Sequence, residues 1–324
     1  SQYHLIGATM GHLLTLLIGL SLLTVALLTW MVLGSRPLPA GLAFMGDYHP
    51  AGNIGFLSDE TCVDSNGQRQ IKQAIFDAVF DMISGAQRLL VLDMFLYNDF
   101  QGLEPETTRA LAAELTAHLI RQKQRYPAMT IIVITDPVNT VYGGLVSPHF
   151  SALQEHGISV VITDLNALPD SNPIYSIPWR LLIKPLGNDF ASTLPNPFGA
   201  GRVSLRSWLR MLNFKANHRK VVVADHGEGY LGLVTSGNPH DGSSAHRNTA
   251  LQFSGPAVMD LLRSENAVLT LSGLQPLKIP VLAAHPRFEA GASQLRVLTE
   301  SRIKEALLES LDNTREGDAI DIMM

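Results

Sequence analysis

Residues 13–33 run for 21 consecutive positions without a charge and consist mostly of Leu, Val, Ile, Thr and Ala. As a helix this run rises about 31 Å, enough to span the hydrocarbon core of a bilayer. The spacing therefore predicts a membrane-spanning helix. His12 lies just outside it, Trp30 sits where an interfacial anchor would, and Gly34-Ser35-Arg36-Pro37 breaks it. The competing reading is a secretory signal peptide, but its apolar region would be only about 7–15 residues long behind a basic segment. An uncleaved anchor fits better. Arg36 is the only nearby basic residue, which leaves the orientation open.

The whole chain has 324 residues with 46% hydrophobic and 16% charged content, which leaves ample material for a large core once the anchor is set aside. A formal net charge of −5 provides no global basic field, so tight non-specific nucleic-acid binding is disfavoured. Cys62 is the single cysteine, which excludes an internal disulfide and any multi-cysteine zinc site. Eleven histidines leave metal binding formally open by composition.

A Pro/Gly-rich linker over 37–55 leads into alternating periodicities. Apolar positions at Ile71, Ala74, Ile75, Ala78, Val79, Met82 and Ile83 predict a helix over 71–83. A strand over 89–96, a helix over 106–125, and strands over 130–135 and 159–163 follow. Such a β-α-β-α-β run predicts an α/β fold whose mixed sheet is mostly parallel and flanked by helices. Residues 165–200 hold six prolines and read as a long irregular segment that either covers substrate or is a plain solvated excursion. A short helix over 204–212, two motif strands, a strand over 249–253 and a helix from Pro256 to about Leu271 complete the first lobe, taken as 56–273.

The chemistry concentrates in Asn217-His218-Arg219-Lys220-Val221-Val222-Val223-Ala224-Asp225, with Thr235-Ser236-Gly237-Asn238 one hairpin later. Residues two apart on a strand share a face, so His218 and Lys220 project together while Arg219 points away. An imidazole near neutral pKa can attack phosphorus or pass a proton, and an ammonium beside it neutralises non-bridging oxygens. Ser236 and Asn238 offer a hydroxyl and an amide donor to the same oxygens. A lone His-x-Lys is usually a solvated strand edge. The apolar run 221–224 marks a buried strand instead.

His218-x-Lys220-x-x-x-x-Asp225 followed by Ser236-x-Asn238 resembles the phospholipase D superfamily signature, HxKxxxxD and then GSxN. Thr235 stands where that family usually has Gly. The connection from Asp225 to Thr235 is about three residues longer than usual, and Gly227-Glu228-Gly229 within it reads as a hairpin turn that absorbs the extra length. Residues 92–99 and 236–241 also resemble membrane-tethered, cardiolipin synthase-like members. The resemblance spans residues 55–324 and is specific at 217–238. It implies a phospholipase D-like lobe behind a single-pass anchor (1–36) in a bacterial inner membrane, with no metal and no cofactor. It groups His218, Lys220 and Asp225 as the catalytic residues and Ser236 and Asn238 as substrate-binding: His218 would be the nucleophile, Lys220 and Asn238 would bind phosphoryl oxygens, Ser236 would contribute less, and Asp225 would support the site.

The family site combines two motifs, one from each lobe or each subunit, and one motif is present here. Residues 303–308 echo 71–76, and 319–324 occupy the place of the strand ending at Met94. After a connector over 274–293, the stretch 294–324 therefore reads as the opening of a second, truncated lobe of a longer protein. His240, Asp241 and His246 either line an entrance or form a polar turn, the turn fitting better. Arg247 and Asn248 would orient the next strand or a headgroup, and Asp93 has no partner near it in sequence. The leading expectation is a membrane-anchored phosphodiesterase or transphosphatidylase acting on phospholipid headgroups. A nuclease is the enzymatic alternative, opposed by the acidic balance. A non-catalytic membrane scaffold with a degenerate second lobe is the alternative from another class.

Overall fold

The computed structural model describes residues 2–34, 38–102, 108–186, 193–281 and 293–321. The expected helix break at 35–37, the first residues of the helix from Glu106, the middle of the proline-rich stretch, most of the connector and residues 322–324 lie outside the described residues. The chain divides into two compact units. One comprises Ser1–Leu38, Thr140–Val146 and Leu165–Ala216, and the other Pro39–Asn139, Ser147–Asp164 and Asn217–Met324.

The larger unit is built on an eight-stranded sheet. Its strands are β1 (Gly52–Val63), β2 (Arg69–Gln73), β3 (Leu89–Met94), β4 (Thr130–Thr135), β5 (Ser159–Ile162), β6 (Lys220–His226), β7 (Gly229–Thr235) and β8 (Thr249–Ser254). They lie in the order β2-β1-β8-β7-β6-β3-β4-β5. Parallel pairing is confined to β3 with β4 and β4 with β5. All other neighbours are antiparallel, which corrects the expectation of a mostly parallel sheet. Consecutive parallel strands need a long crossover, as between β3, β4 and β5, whereas β6, β7 and β8 follow one another through shorter connections and pair antiparallel. The hairpin from β6 to β7 turns at Gly227, whose φ of 58° suits glycine, as its sequence indicates.

Side-chain alternation divides the sheet between two helical layers. Leu90, Leu92 and Met94 of β3 and Val222 and Ala224 of β6 pack with α2 (Ile75–Gly85), α3 (Leu111–Arg125) and α4 (Pro148–Glu155) in the main core. On the other face α7 (Ala257–Leu271) lies across β6, β7 and β8, so close that a Cβ at Gly232 would meet Leu261 at 3.3 Å. All six residues of β3 are buried, as a strand covered on both faces requires.

Three local expectations change in the tertiary setting. Residues 69–73 form β2, paired with β1 through Thr61 and Ile71, and the helix begins only at Ile75. β1 reaches back to Gly52, inside the stretch read as linker. At the other end Gln294 and Leu295 pair with Pro50 and His49, and Met45 bridges Leu298, so this stretch lies against residues 45–50 of the same unit. α8 (Ser301–Asp312) follows, while residues 318–321 have no strand beside them and form no strand.

In the smaller unit α1 (Gln2–Gly34) is a single helix, long and apolar enough over Met10–Trp30 to cross a membrane. The hydroxyls of Thr15, Thr24 and Thr29 each donate to the carbonyl four residues back, so none of the three requires water. Residues 165–186 and 193–216 are organised rather than irregular. They include α5 (Pro173–Pro178), which packs on α1, and α6 (Leu205–Met211), capped by the Ser204 hydroxyl. The buried Asp170 carboxylate takes Arg180 and Lys215 at 2.6 and 2.8 Å. Burial would raise its pKa, but these two cations outweigh it and the net shift is downward.

Candidate active site

Strand β6 pairs antiparallel with β3, Asp93 facing Val221 and Met94 facing Lys220. The Phe95 amide then donates to the Arg219 carbonyl at 3.0 Å, which carries the pairing past both strand ends. Alternation sends His218 and Lys220 to one face and Asn217 and Arg219 to the other, as the sequence spacing requires.

On the first face Lys220 Nζ lies 3.2 Å from His218 Nδ1 and donates to the His218 carbonyl at 2.9 Å. The imidazole is exposed while the lysine is 7% exposed. Phe95 forms the floor, its ring 4.4 Å from the His218 ring and 5.3 Å from the ammonium. Burial lowers the Lys220 pKa to about 8, partly offset by Asp93. Burial, then the neighbouring Lys220 charge, pushes His218 below the usual imidazole value. The pair thus presents a neutral imidazole next to a poorly solvated cation, an arrangement that gains by receiving an anion.

Asn238 joins this end of the sheet through Leu96, whose amide donates to the Asn238 side-chain oxygen at 3.0 Å. With the oxygen engaged, the amide nitrogen is the end that can donate to a ligand. Ser236 is committed differently. Its hydroxyl donates to Asn248 Oδ1 at 3.3 Å and accepts from the Thr249 amide at 3.0 Å, tying β7 to β8.

Asp225 stands apart from the imidazole. It accepts the amides of Gln87, Arg88 and Leu89 at 2.8 to 3.2 Å, at the start of β3. Five residues of strand place it about 16 Å from Lys220 and on the opposite face. This corrects its grouping with the catalytic residues: its carboxylate closes the β3 entry turn and cannot touch a phosphate held at His218.

The second face carries a polar network that the sequence reading did not assemble. Asn217 Nδ2 donates to both Asp93 oxygens at 2.9 Å and to Thr163 at 3.1 Å, while its amide donates to Asp136 at 2.7 Å. Arg219 reaches Glu265 at 3.2 Å and Glu300 at 3.4 Å. Burial, then Glu265, pushes Asp93 well above the usual carboxylate range. Asn139 holds the neighbouring strand ends, accepting from the Tyr97 amide at 2.8 Å and donating to the Phe95 carbonyl at 2.7 Å. The residues around His218 are therefore fixed from below by buried hydrogen bonds. Asp93 within an apolar strand was the available signal, but its partner lies 124 positions away.

The remaining candidates behave as a turn. His240 contacts the Phe100 carbonyl at 2.7 Å and Ser243 at 3.0 Å, and Asp241 accepts the Ala112 amide at 3.1 Å. Arg247 donates to the Thr61 carbonyl and Asn248 holds Ser236, so both orient β8. Among the described residues no cluster of His, Cys, Asp and Glu could hold a metal ion.

No family model matches the chain, and no curated protein matches it. Among solved structures it is similar to Nuc, a phospholipase D family member from Salmonella typhimurium, with 11% identity over 66% of this chain and 91% of that one and a TM-score of 0.34. NucT from Helicobacter pylori gives 12% identity over 67% and 97%, with a TM-score of 0.30. Yeast tyrosyl-DNA phosphodiesterase gives 10% over 62% and 46%, with a TM-score of 0.22. Likenesses of this size carry no functional weight, which rests on the side chains described above.

Proposed function

We propose that this chain is a phospholipase D-type phosphodiesterase or transphosphatidylase, anchored by α1 in a bacterial inner membrane and acting on phospholipid headgroups. The observation that carries the reading is the exposed His218 imidazole with the buried Lys220 ammonium 3.2 Å from Nδ1. Lys220 and the Asn238 amide would hold the non-bridging oxygens of a phosphodiester, and Ser236 would keep the Asn238 loop in place. A bound phosphate draws the ammonium towards its oxygens. Nδ1 is then free to carry the ring proton, and the Nε2 lone pair can attack phosphorus. The P–N bond forms as the bond to the leaving alkoxide breaks, and a second acid supplies the proton that the alkoxide needs. We assign that acid to a second motif, from a further lobe or a second subunit. Water or an alcohol, deprotonated by the same group, then displaces His218 and restores it.

No metal is needed for charge stabilisation, since the lysine and amide donors meet the phosphoryl oxygens. The helix α1 supports a lipid substrate, because tethering raises the local concentration of headgroups at the site. Phosphatidylglycerol labelled in its phosphate, offered to the protein in vesicles, tests the reading. The expected result is an acid-labile phosphoprotein in wild type that is lost in His218→Ala together with product. Turnover of a DNA phosphodiester without lipid turnover would select a nuclease, and labelling that survives His218→Ala would remove the nucleophile assignment.

A further inference from the structure

Charge is not spread evenly along this acidic chain. Residues 165–216 contain six Lys and Arg and two Asp, a formal +4, whereas the rest carries 18 basic and 27 acidic residues, a formal −9. Two of those cations are spent on Asp170 and hold the element together. Further internal pins are the Tyr175 hydroxyl on the Leu209 carbonyl at 2.6 Å and the Trp208 indole on the Pro195 carbonyl at 2.8 Å. The element is therefore folded, yet it turns large apolar side chains outward. Ile174 is 88% exposed, Leu186 80% and Leu182 69%, with Leu181, Leu205 and Phe214 also exposed. Folded surfaces in water rarely display so many large aliphatic groups within some 46 residues. The element belongs to the same compact unit as α1, and α5 packs directly on that helix.

We propose that residues 165–186 and 193–216 form a lipid-docking element whose occupant is an anionic bilayer surface, the exposed Ile and Leu side chains entering the headgroup boundary beside α1. The inference rests on the reading of α1 as a membrane anchor. Apolar side chains supply insertion, and the surplus of Lys and Arg is attracted by acidic headgroups. With chain both crossing and lying on the membrane, the unit would be held at a defined depth rather than hanging from a single helix.

The test uses the full chain with Cys62→Ser, since Cys62 is the single cysteine and is exposed. One cysteine is introduced at a time through Ile174→Cys, Leu182→Cys, Leu186→Cys or, as a control in the other unit, Val63→Cys. Each carries an environment-sensitive dye, and the protein is placed in phosphatidylcholine vesicles with or without 30% phosphatidylglycerol. Spin-labelled lipids are expected to quench the first three dyes at least about twofold more than the control. Lys184→Glu with Arg206→Glu is expected to weaken the phosphatidylglycerol-dependent part by roughly fivefold per charge lost. Alkaline extraction reports the anchor separately. Protein that resists extraction while its dyes match the control keeps the anchor and overturns the docking element. Dyes that respond to a DNA oligonucleotide but not to vesicles, or that respond to protein concentration in detergent, overturn it in favour of a nucleic acid or a second copy.

Discussion

Replacing Asp225 separates folding from chemistry within the motif. The carboxylate accepts three consecutive amides at the entry to β3, and among them the Leu89 residue is fully buried while Gln87 and Arg88 lie at the surface. Asp225→Ala leaves the Leu89 N–H without an acceptor, costing about 1–3 kcal/mol, and forfeits two further charge-assisted bonds whose donors recover water. The total is about 3–4 kcal/mol, or a fall in Tm of roughly 6–16 °C for a unit of this size. Asp225→Asn retains an acceptor oxygen and should cost about half as much. Thermal unfolding in detergent, followed with turnover corrected for the folded fraction, measures both quantities. Asp225→Asn is expected to keep kcat within about threefold of wild type, because strand geometry puts the carboxylate about 16 Å from Lys220. An Asp225→Asn protein of unchanged Tm that loses turnover as completely as His218→Ala would refute the structural role.

Lys220→Met should cut kcat by at least about a hundredfold while raising stability by about 1–2 kcal/mol at pH 7, because a poorly solvated ammonium is removed. The linkage has a definite sign. The Lys220 pKa is lowered from 10.5 to about 8 on folding, so its cost is full below pH 8 and is relieved as pH rises from 8 to 10.5. Wild type should therefore approach the variant's Tm across that window, and a constant difference would contradict the buried-cation account. The acid limb of kcat/KM should lie below pH 6.5, since burial and Lys220 both depress His218; a limb above that value would count against a neutral imidazole nucleophile. Asn217→Ala strips the Asp93 carboxylate of its donor and should cost about 2–3 kcal/mol by thermal unfolding, with a loss of kcat through the adjacent His218.

Local pattern was sufficient wherever a local rule governs the outcome. An uncharged run of 21 residues can satisfy its backbone as one helix, and α1 is that helix. Alternation about Lys220 makes His218 its companion and sends Arg219 and Asp225 elsewhere, and the structure keeps each on the face that period two assigns. The Gly227 turn and the Ser204 cap follow from backbone preference alone.

Tertiary structure decided whatever depends on a distant partner. Ile71 and Ala74 fit the helical period of residues 75–83, yet β1 lies alongside and its ladder takes 69–73 as a strand. The sheet is mixed because β6 inserts beside β3 from 126 residues further along, a pairing that no window of sequence contains. Asp93 acquires meaning only through Asn217 and Glu265, and Asp225 only through the amides of 87–89. The excess of Lys and Arg over 165–216 is written in the sequence, but its association with exposed leucines and with α1 is a matter of packing. Periodicity reports which side of an element a residue occupies. What it meets there is fixed by burial, which pairs polar groups wherever the fold happens to bring them.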